Sequence, residues 1–130
     1  MGNRVDKPWG YYEDLFRIRR VVFKRIVVNP DSQLSVQKHR ERGEFWYVAE
    51  GEGFILYNDL TRDICIGSSI EIPIGITHCI VNNSDKPLVV YEMQYGNCYE
   101  DDIVRFSDKY GRENESDLGM GIVNNFDKEN

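Results

Sequence analysis

With 130 residues and 16 Lys plus Arg against 22 Asp plus Glu, a formal charge of -6, the chain has length for one domain, 1–130, with a real hydrophobic core, but not for two catalytic modules. A pI near 4.9 and the lack of any basic stripe argue against nucleic acid as a partner. Cys65, Cys79 and Cys98 have neither the count nor the C-x-x-C spacing of a disulfide framework or zinc knuckle, and no apolar run approaches the roughly 20 residues of a membrane helix, so a reduced, cytoplasmic, membrane-free setting is expected.

The start, Met1-Gly2-Asn3-Arg4-Val5-Asp6, has no signal-peptide core. Residues 15–28 are dense in β-branched and aromatic side chains and end in Asn29-Pro30-Asp31-Ser32, which predicts one or two strands and a turn. Strands over 34–39, 44–49 and 53–57 follow, with Glu50-Gly51-Glu52-Gly53 read as the hairpin turn between the last two. Asn58-Asp59 and Thr61-Arg62-Asp63 mark a further turn, and 63–66, 69–72, 78–82 and 88–94 complete a series of short strands. That spacing predicts an all-β sandwich or barrel with its core over about 15–95. Beyond Gln94 the character changes: residues 100–112 suggest a short helical turn packed on the barrel, and residues 113–130, polar and acidic, a tail ordered only by a partner subunit or neighbouring surface.

Chemistry concentrates in two stretches, each holding one of the chain's two histidines. One reads Gly67-x5-Pro73-x-Gly75-x2-His78-x3-Asn82; the other carries Gln37, His39, Glu41 and Glu44 ahead of Gly51. Side chains alternate along a strand, so Gln37, His39 and Glu41 point one way and Lys38, Arg40 and Arg42 the other; after Gly43, the side chains of Glu44, Trp46 and Val48 share a face. Polar groups facing a barrel interior without partners cost several kcal/mol, and a metal ion or substrate supplies the partner. Imidazole nitrogens with carboxylate oxygens suit zinc, iron or manganese. The bland alternative is a structural histidine on a β face, but two in register with Glu44 and the Pro-x-Gly turn favour a metal. Trp9, Trp46 and Tyr12 read as core rather than as sugar-stacking platforms, and Gly51 and Gly75 as turn residues with positive φ.

These motifs resemble those of cupins, double-stranded β-helix (jelly-roll) barrels. The wider run is similar to the type II mannose-6-phosphate isomerase domain, usually the C-terminal part of bifunctional mannose-1-phosphate guanylyltransferases. The matching pieces are Lys7-Pro8-Trp9-Gly10 with Tyr12, Lys24-Arg25-Ile26, Leu34-Ser35-Val36-Gln37 with His39, Arg42 and Glu44 with Trp46, Ile72-Pro73-Ile74-Gly75 with His78, the acidic run 100–105 and Asp108-Lys109-Tyr110-Gly111-Arg112. The chain departs from the family in having Arg40, Glu41 and Phe45 where histidines are usual, Asp31 for a glycine, and one residue fewer around Gly96-Asn97-Cys98-Tyr99.

The resemblance implies a divalent metal, zinc first and iron or manganese as alternatives, held by Gln37, His39, Glu44 and His78. The general cupin pattern offers a second set in which Glu41 replaces Gln37, and alternation leaves both open. The first is favoured because its lower carboxylate count keeps more polarising power on a substrate carbonyl. Glu41 is then the acid or base that relays the proton of an aldose–ketose isomerisation, and Lys24, Arg105 and Arg112 match positions that could hold a sugar phosphate, although Arg105 and Arg112 could instead pair with Asp101, Asp102 or Asp108. The activity implied is interconversion of mannose 6-phosphate and fructose 6-phosphate by a stand-alone, homodimeric enzyme. The alternatives are a non-catalytic sugar- or metal-binding module serving polysaccharide or nucleotide-sugar metabolism and a different metal-dependent cupin enzyme.

Overall fold

The computed structural model describes residues 3–107. Twelve strands run in chain order: β1 (Asn3–Lys7), β2 (Gly10–Ile18), β3 (Val21–Val28), β4 (Ser32–Gln33), β5 (Val36–Lys38), β6 (Arg42–Glu50), β7 (Glu52–Tyr57), β8 (Leu60–Cys65), β9 (Ser69–Ile72), β10 (His78–Asn82), β11 (Leu88–Gly96) and β12 (Val104–Ser107). They form two sheets, one ordered β1-β2-β3-β11-β6-β9 and the other β12-β5-β10-β7-β8, with β4 also on β10. Two antiparallel sheets packed face to face, with the chain passing between them, are the expected all-β, double-stranded β-helix barrel.

The core lies between the sheets, where Ile26, Val28, Trp46, Val48, Ile55, Ile70, Ile80 and Val90 are buried. Each such aliphatic side chain contributes about 1.5–3 kcal/mol of burial. Strict alternation aims them inward: on β6, Glu44, Trp46 and Val48 are buried while Phe45 and Tyr47 are exposed, as the sequence predicts.

Four local expectations are corrected. The paired strands reach further back than the sequence suggests: β1 and the first half of β2 lie before residue 15 and pair with each other, their period masked by charged and exposed positions. Residues 50–53 do not make a hairpin, because β6 and β7 belong to different sheets. Gly51 (φ 87°) is the corner between them, and a Cβ there would lie 2.4 Å from the Pro87 carbonyl oxygen. The hairpin is β7–β8, closed at Asn58-Asp59, and Thr61-Arg62-Asp63 lies within β8. Finally, no helix follows the barrel among the described residues: β12 pairs with β5, Val104 opposite Lys38 and Arg105 opposite Gln37, because β5 presents a free edge to a segment of β-forming residues. Arg112 and the tail lie outside the described residues.

Inward-facing positions divide the barrel into two ends. On β3 the inward series is Lys24, Ile26, Val28; on β11 it is Gln94, Glu92, Val90, and on β6 Arg42, Glu44, Trp46, Val48. Strand register brings the polar ends level, with Lys24 opposite Glu92 and Gln94 opposite Glu44. Across the barrel His78 stands opposite Gln37. One end is an apolar plug and the other a polar cavity.

Candidate metal centre and active site

His39 follows the end of β5, Glu44 lies near the start of β6 and His78 opens β10. The two motif loops are tied together by a hydrogen bond from the Gly75 amide to the His39 carbonyl, 3.0 Å, and Gly75 has the positive φ (86°) expected of it. All three side chains are buried, and their ligand atoms lie within 4.8 Å of one another. The imidazole centroids are 4.9 Å apart, and Trp46 packs edge-on against His78 at 5.4 Å.

The donor chemistry of this trio calls for a cation. The Nδ1 nitrogens face backbone carbonyls, His39 at 2.6 Å from Asp102 O and His78 at 2.8 Å from Ile76 O, so each ring carries its proton there. The opposite nitrogens turn to Glu44, His39 Nε2 at 3.0 Å from Oε2 and His78 Nε2 at 3.6 Å from Oε1. Neutral imidazole then sets lone pairs against a carboxylate, and a proton or a metal ion must lie between. Burial pushes His78 down to about 4 despite the pull of Glu44, so a proton on His78 is disfavoured at neutral pH. Burial alone would raise the Glu44 carboxyl, but the charge and hydrogen bond of His39, with His78 behind, hold it well below the ordinary range. Two imidazole Nε2 atoms converging on an ionised carboxylate are a fitting set for a divalent ion of the zinc, iron or manganese type.

Gln37 lines a cavity together with Glu44 and His78, its amide nitrogen held by Ser35 Oγ at 2.9 Å; it stands at the wall as a candidate fourth ligand. Glu41 does not. The strand ladder stops at Lys38, alternation lapses over 39–41, and Glu41 is exposed, its Oε1 accepting from Asn97 Nδ2 at 3.0 Å. It is absent from the cavity lining, which corrects the expectation that it shares a face with Gln37 and His39. Arg42 is corrected in the opposite sense: expected to point away, it is buried, donating from Nε to Glu44 Oε2 at 3.1 Å, with Nη2 3.4 Å from His39 Nε2.

Of the expected phosphate-binding cations, Lys24 and Arg105 both line the cavity, and Arg112 lies outside the described residues. The Lys24 ammonium sits 4.0 Å above the Tyr12 ring. Burial would lower its pKa, but Glu92 and Glu100 hold it above the usual lysine value.

Sequence reasoning does not single out Glu92 and Gln94. Glu92 is 6% exposed, and burial, with the Glu44 charge beside it, pushes its carboxyl up to about 8. The Trp46 indole N–H donates to both, 3.1 Å to Glu44 Oε1 and 3.0 Å to Glu92 Oε2, and Gln94 Nε2 donates to Glu92 Oε1 at 2.9 Å. Gln94 Oε1 is buried without a hydrogen-bond partner and lines the cavity. A buried acceptor of this kind is rare in native proteins and awaits a donor or a cation. The departures Arg40, Glu41 and Phe45 are all exposed and leave the cavity wall untouched.

Residues 1–108 match the family model described as "Mannose-6-phosphate isomerase C-terminal". The chain is 41% identical over 113 residues to the mannose-1-phosphate guanylyltransferase ManC of Salmonella typhimurium, an alignment covering 86% of this chain but 24% of that protein. Among solved structures, the capsular polysaccharide assembling protein CapF of Staphylococcus aureus superposes with a TM-score of 0.69 at 18% identity, over 79% of this chain and 32% of that one. A sugar phosphate isomerase of the cupin superfamily from Silicibacter pomeroyi gives 0.61 at 19% identity, over 65% and 58%. These likenesses show the fold. The match along nearly the whole described chain shows the family: this protein belongs to the mannose-6-phosphate isomerase C-terminal family, built on a cupin barrel.

Proposed function

We propose that the chain is a metal-dependent sugar-phosphate isomerase that interconverts mannose 6-phosphate and fructose 6-phosphate. The observation that carries this reading is one cavity lined by Glu44, His78, the buried carboxyl group of Glu92 and two cations, Lys24 and Arg105, with His39 completing the ligand set from behind Glu44. Any one of these has structural explanations; their convergence suits a substrate with a carbonyl at one end and a dianion at the other.

His39, Glu44 and His78, with Gln37 as fourth donor, would hold a divalent ion, zinc by preference. When bound, such an ion polarises the sugar carbonyl and offsets the negative charge that develops as a proton leaves the neighbouring carbon. The chain's own residues do the rest. Glu92, at the cavity wall, would act in its ionised form, reached as pH rises toward about 8, taking the proton from C2 and returning it to C1, while a second proton passes between the adjacent oxygens. This gives Glu92 the relay role that the sequence suggests for Glu41. Arg42 and the Trp46 indole hold Glu44 and Glu92 in place. Lys24 and Arg105 bind the phosphate. The buried walls of Ile26, Ile80 and Trp46 keep bulk water from the reacting carbons.

Metal analysis of the purified chain, followed by a coupled assay for fructose 6-phosphate formation, tests the proposal. Turnover that depends on added divalent metal and disappears in Glu44→Gln and Glu92→Gln supports it. A metal-loaded chain inert toward mannose 6-phosphate would overturn it in favour of a binding module.

A further inference from the structure

We propose that Asp102 is a positioning residue for the metal ligand His39, through which the 97–102 loop sets the orientation and proton placement of that ring. The inference rests on the metal reading above and goes beyond it, because Asp102 lies on a different part of the chain from every ligand. Between the end of β5 and the start of β6, residues 39–41 leave the sheet ladder, and their amides need acceptors. The Asp102 carboxylate supplies two: Oδ1 accepts from the Arg40 amide and Oδ2 from the Glu41 amide, each at 2.8 Å. The same residue's carbonyl accepts the His39 Nδ1–H at 2.6 Å.

Three bonds thus fix one short segment from one residue, and Asp102 is itself 2% exposed. The carboxylate sets the path of the backbone that carries His39; the carbonyl sets which ring nitrogen holds the proton. With Nδ1 protonated, Nε2 is the free lone pair, and it points at Glu44 Oε2, 3.0 Å away. His78 obtains the same tautomer from its own loop, through Ile76 O at 2.8 Å, so the two ligands are oriented by independent devices and only one of them depends on Asp102. The clamp is held from behind, the Asp102 amide donating to Tyr99 O at 3.1 Å and the Asn97 amide to Glu41 O at 3.0 Å. Aspartate suits the position because both oxygens accept. Asparagine keeps one acceptor and sets an NH2 group against the other amide; alanine keeps neither.

The test uses the full chain with Asp102→Asn and Asp102→Ala, read by zinc affinity in chelator competition and by imidazole ¹⁵N NMR of the metal-free protein. Partners that orient a ligand in this way govern metal affinity by roughly 10–100-fold. The expected result is a loss in that range, smaller for asparagine, with the His39 Nδ1–H hydrogen bond to the 102 carbonyl weakened as the segment shifts and the His78 Nδ1–H hydrogen bond kept. Zinc affinity within about twofold of wild type in both variants, or an unchanged His39 Nδ1–H hydrogen bond, would overturn the proposal. If Asp102→Ala does not fold, Asp102→Asn alone decides. A wild-type chain that takes up no zinc would sink the metal reading instead, and the NMR arm then decides whether Asp102 orients His39.

Discussion

Lys24 Nζ lies 2.9 Å from Glu100 Oε2 and 3.4 Å from Asp14 Oδ1, so the cation that the proposed function assigns to the phosphate is already engaged by carboxylates of the chain. Glu100 is the exposed partner, its side chain 52% accessible, whereas Lys24 is 4% accessible. Burial would raise the Glu100 carboxyl, but Lys24 holds it below the usual value. An arriving phosphate must displace or share this contact. With one partner half exposed, the pair is screened toward the 0–1 kcal/mol of surface ion pairs, about 1 kcal/mol at most, so Glu100→Gln should lower KM for the sugar phosphate by up to about fivefold with kcat little changed. Lys24→Met should raise KM by more than that. Steady-state kinetics at low and high salt checks both, the Glu100→Gln gain shrinking as salt screens the pair.

Trp46 serves two purposes: its ring is part of the core, while its single N–H divides between Glu44 and Glu92. Trp46→Phe keeps most of the apolar volume and removes the donor. Two buried carboxyl oxygens then lose a partner, at a cost of about 1–3 kcal/mol. Urea unfolding of the metal-free protein should show that loss, and isomerase activity should fall further than stability alone predicts. A stability equal to wild type would mean that Glu44 and Glu92 satisfy each other without the indole.

Gly43 lies beneath the Tyr95 ring, and a Cβ there would come within 2.5 Å of the phenol. Tyr95 in turn donates its hydroxyl to Glu71 Oε2 at 2.7 Å, linking β11 to β9 across the first residues of β6. Gly43→Ala should therefore displace Tyr95, and the double variant with Tyr95→Ala should recover part of the lost stability. The hydrogen bond to Glu71, aided by burial, pushes the Tyr95 phenol up to about 12. A folded pKa raised above the unfolded value near 10 contributes stability that is whole below pH ~10 and is lost as pH rises through about 12. Ultraviolet titration should show one tyrosine ionising late, and Glu71→Gln should return it toward the others.

How much of this could be read in the sequence depends on how each strand announces its inner face. His39, Glu44 and His78 are legible because fixed spacings to Gly51, Pro73 and Gly75 set them apart. Glu92 and Gln94 are not, because β11 alternates in a misleading phase: its outward residues Tyr91, Met93 and Tyr95 are more apolar than the inward Glu92 and Gln94. Alternation reveals two faces, and hydrophobicity then ranks the wrong one as core. Tyr91 is 40% exposed on the outer surface, with Phe23, Phe45 and Tyr47 on neighbouring strands. Arg42 and Glu41 are misplaced for a different reason: the period-two count runs through 39–41, where the chain has left its ladder. Lys24 and Arg105 come from the family resemblance, and the register of β3 and β12 brings both to the cavity.

Metal removal separates the two ligand sets. Zinc that binds the folded chain alone stabilises it by mass action, about 2.7 kcal/mol at 100 times its Kd, so a chelator should lower the thermal midpoint measurably. Glu44 and His78 are buried and converge, so Glu44→Gln or His78→Gln should abolish the zinc-dependent shift. Glu41 is exposed and bonded to Asn97, so Glu41→Gln should keep the whole shift and the whole turnover. Calorimetric scans of the four proteins with and without zinc make the comparison. Loss of the shift in Glu41→Gln would return Glu41 to the coordination sphere and displace Gln37 from it.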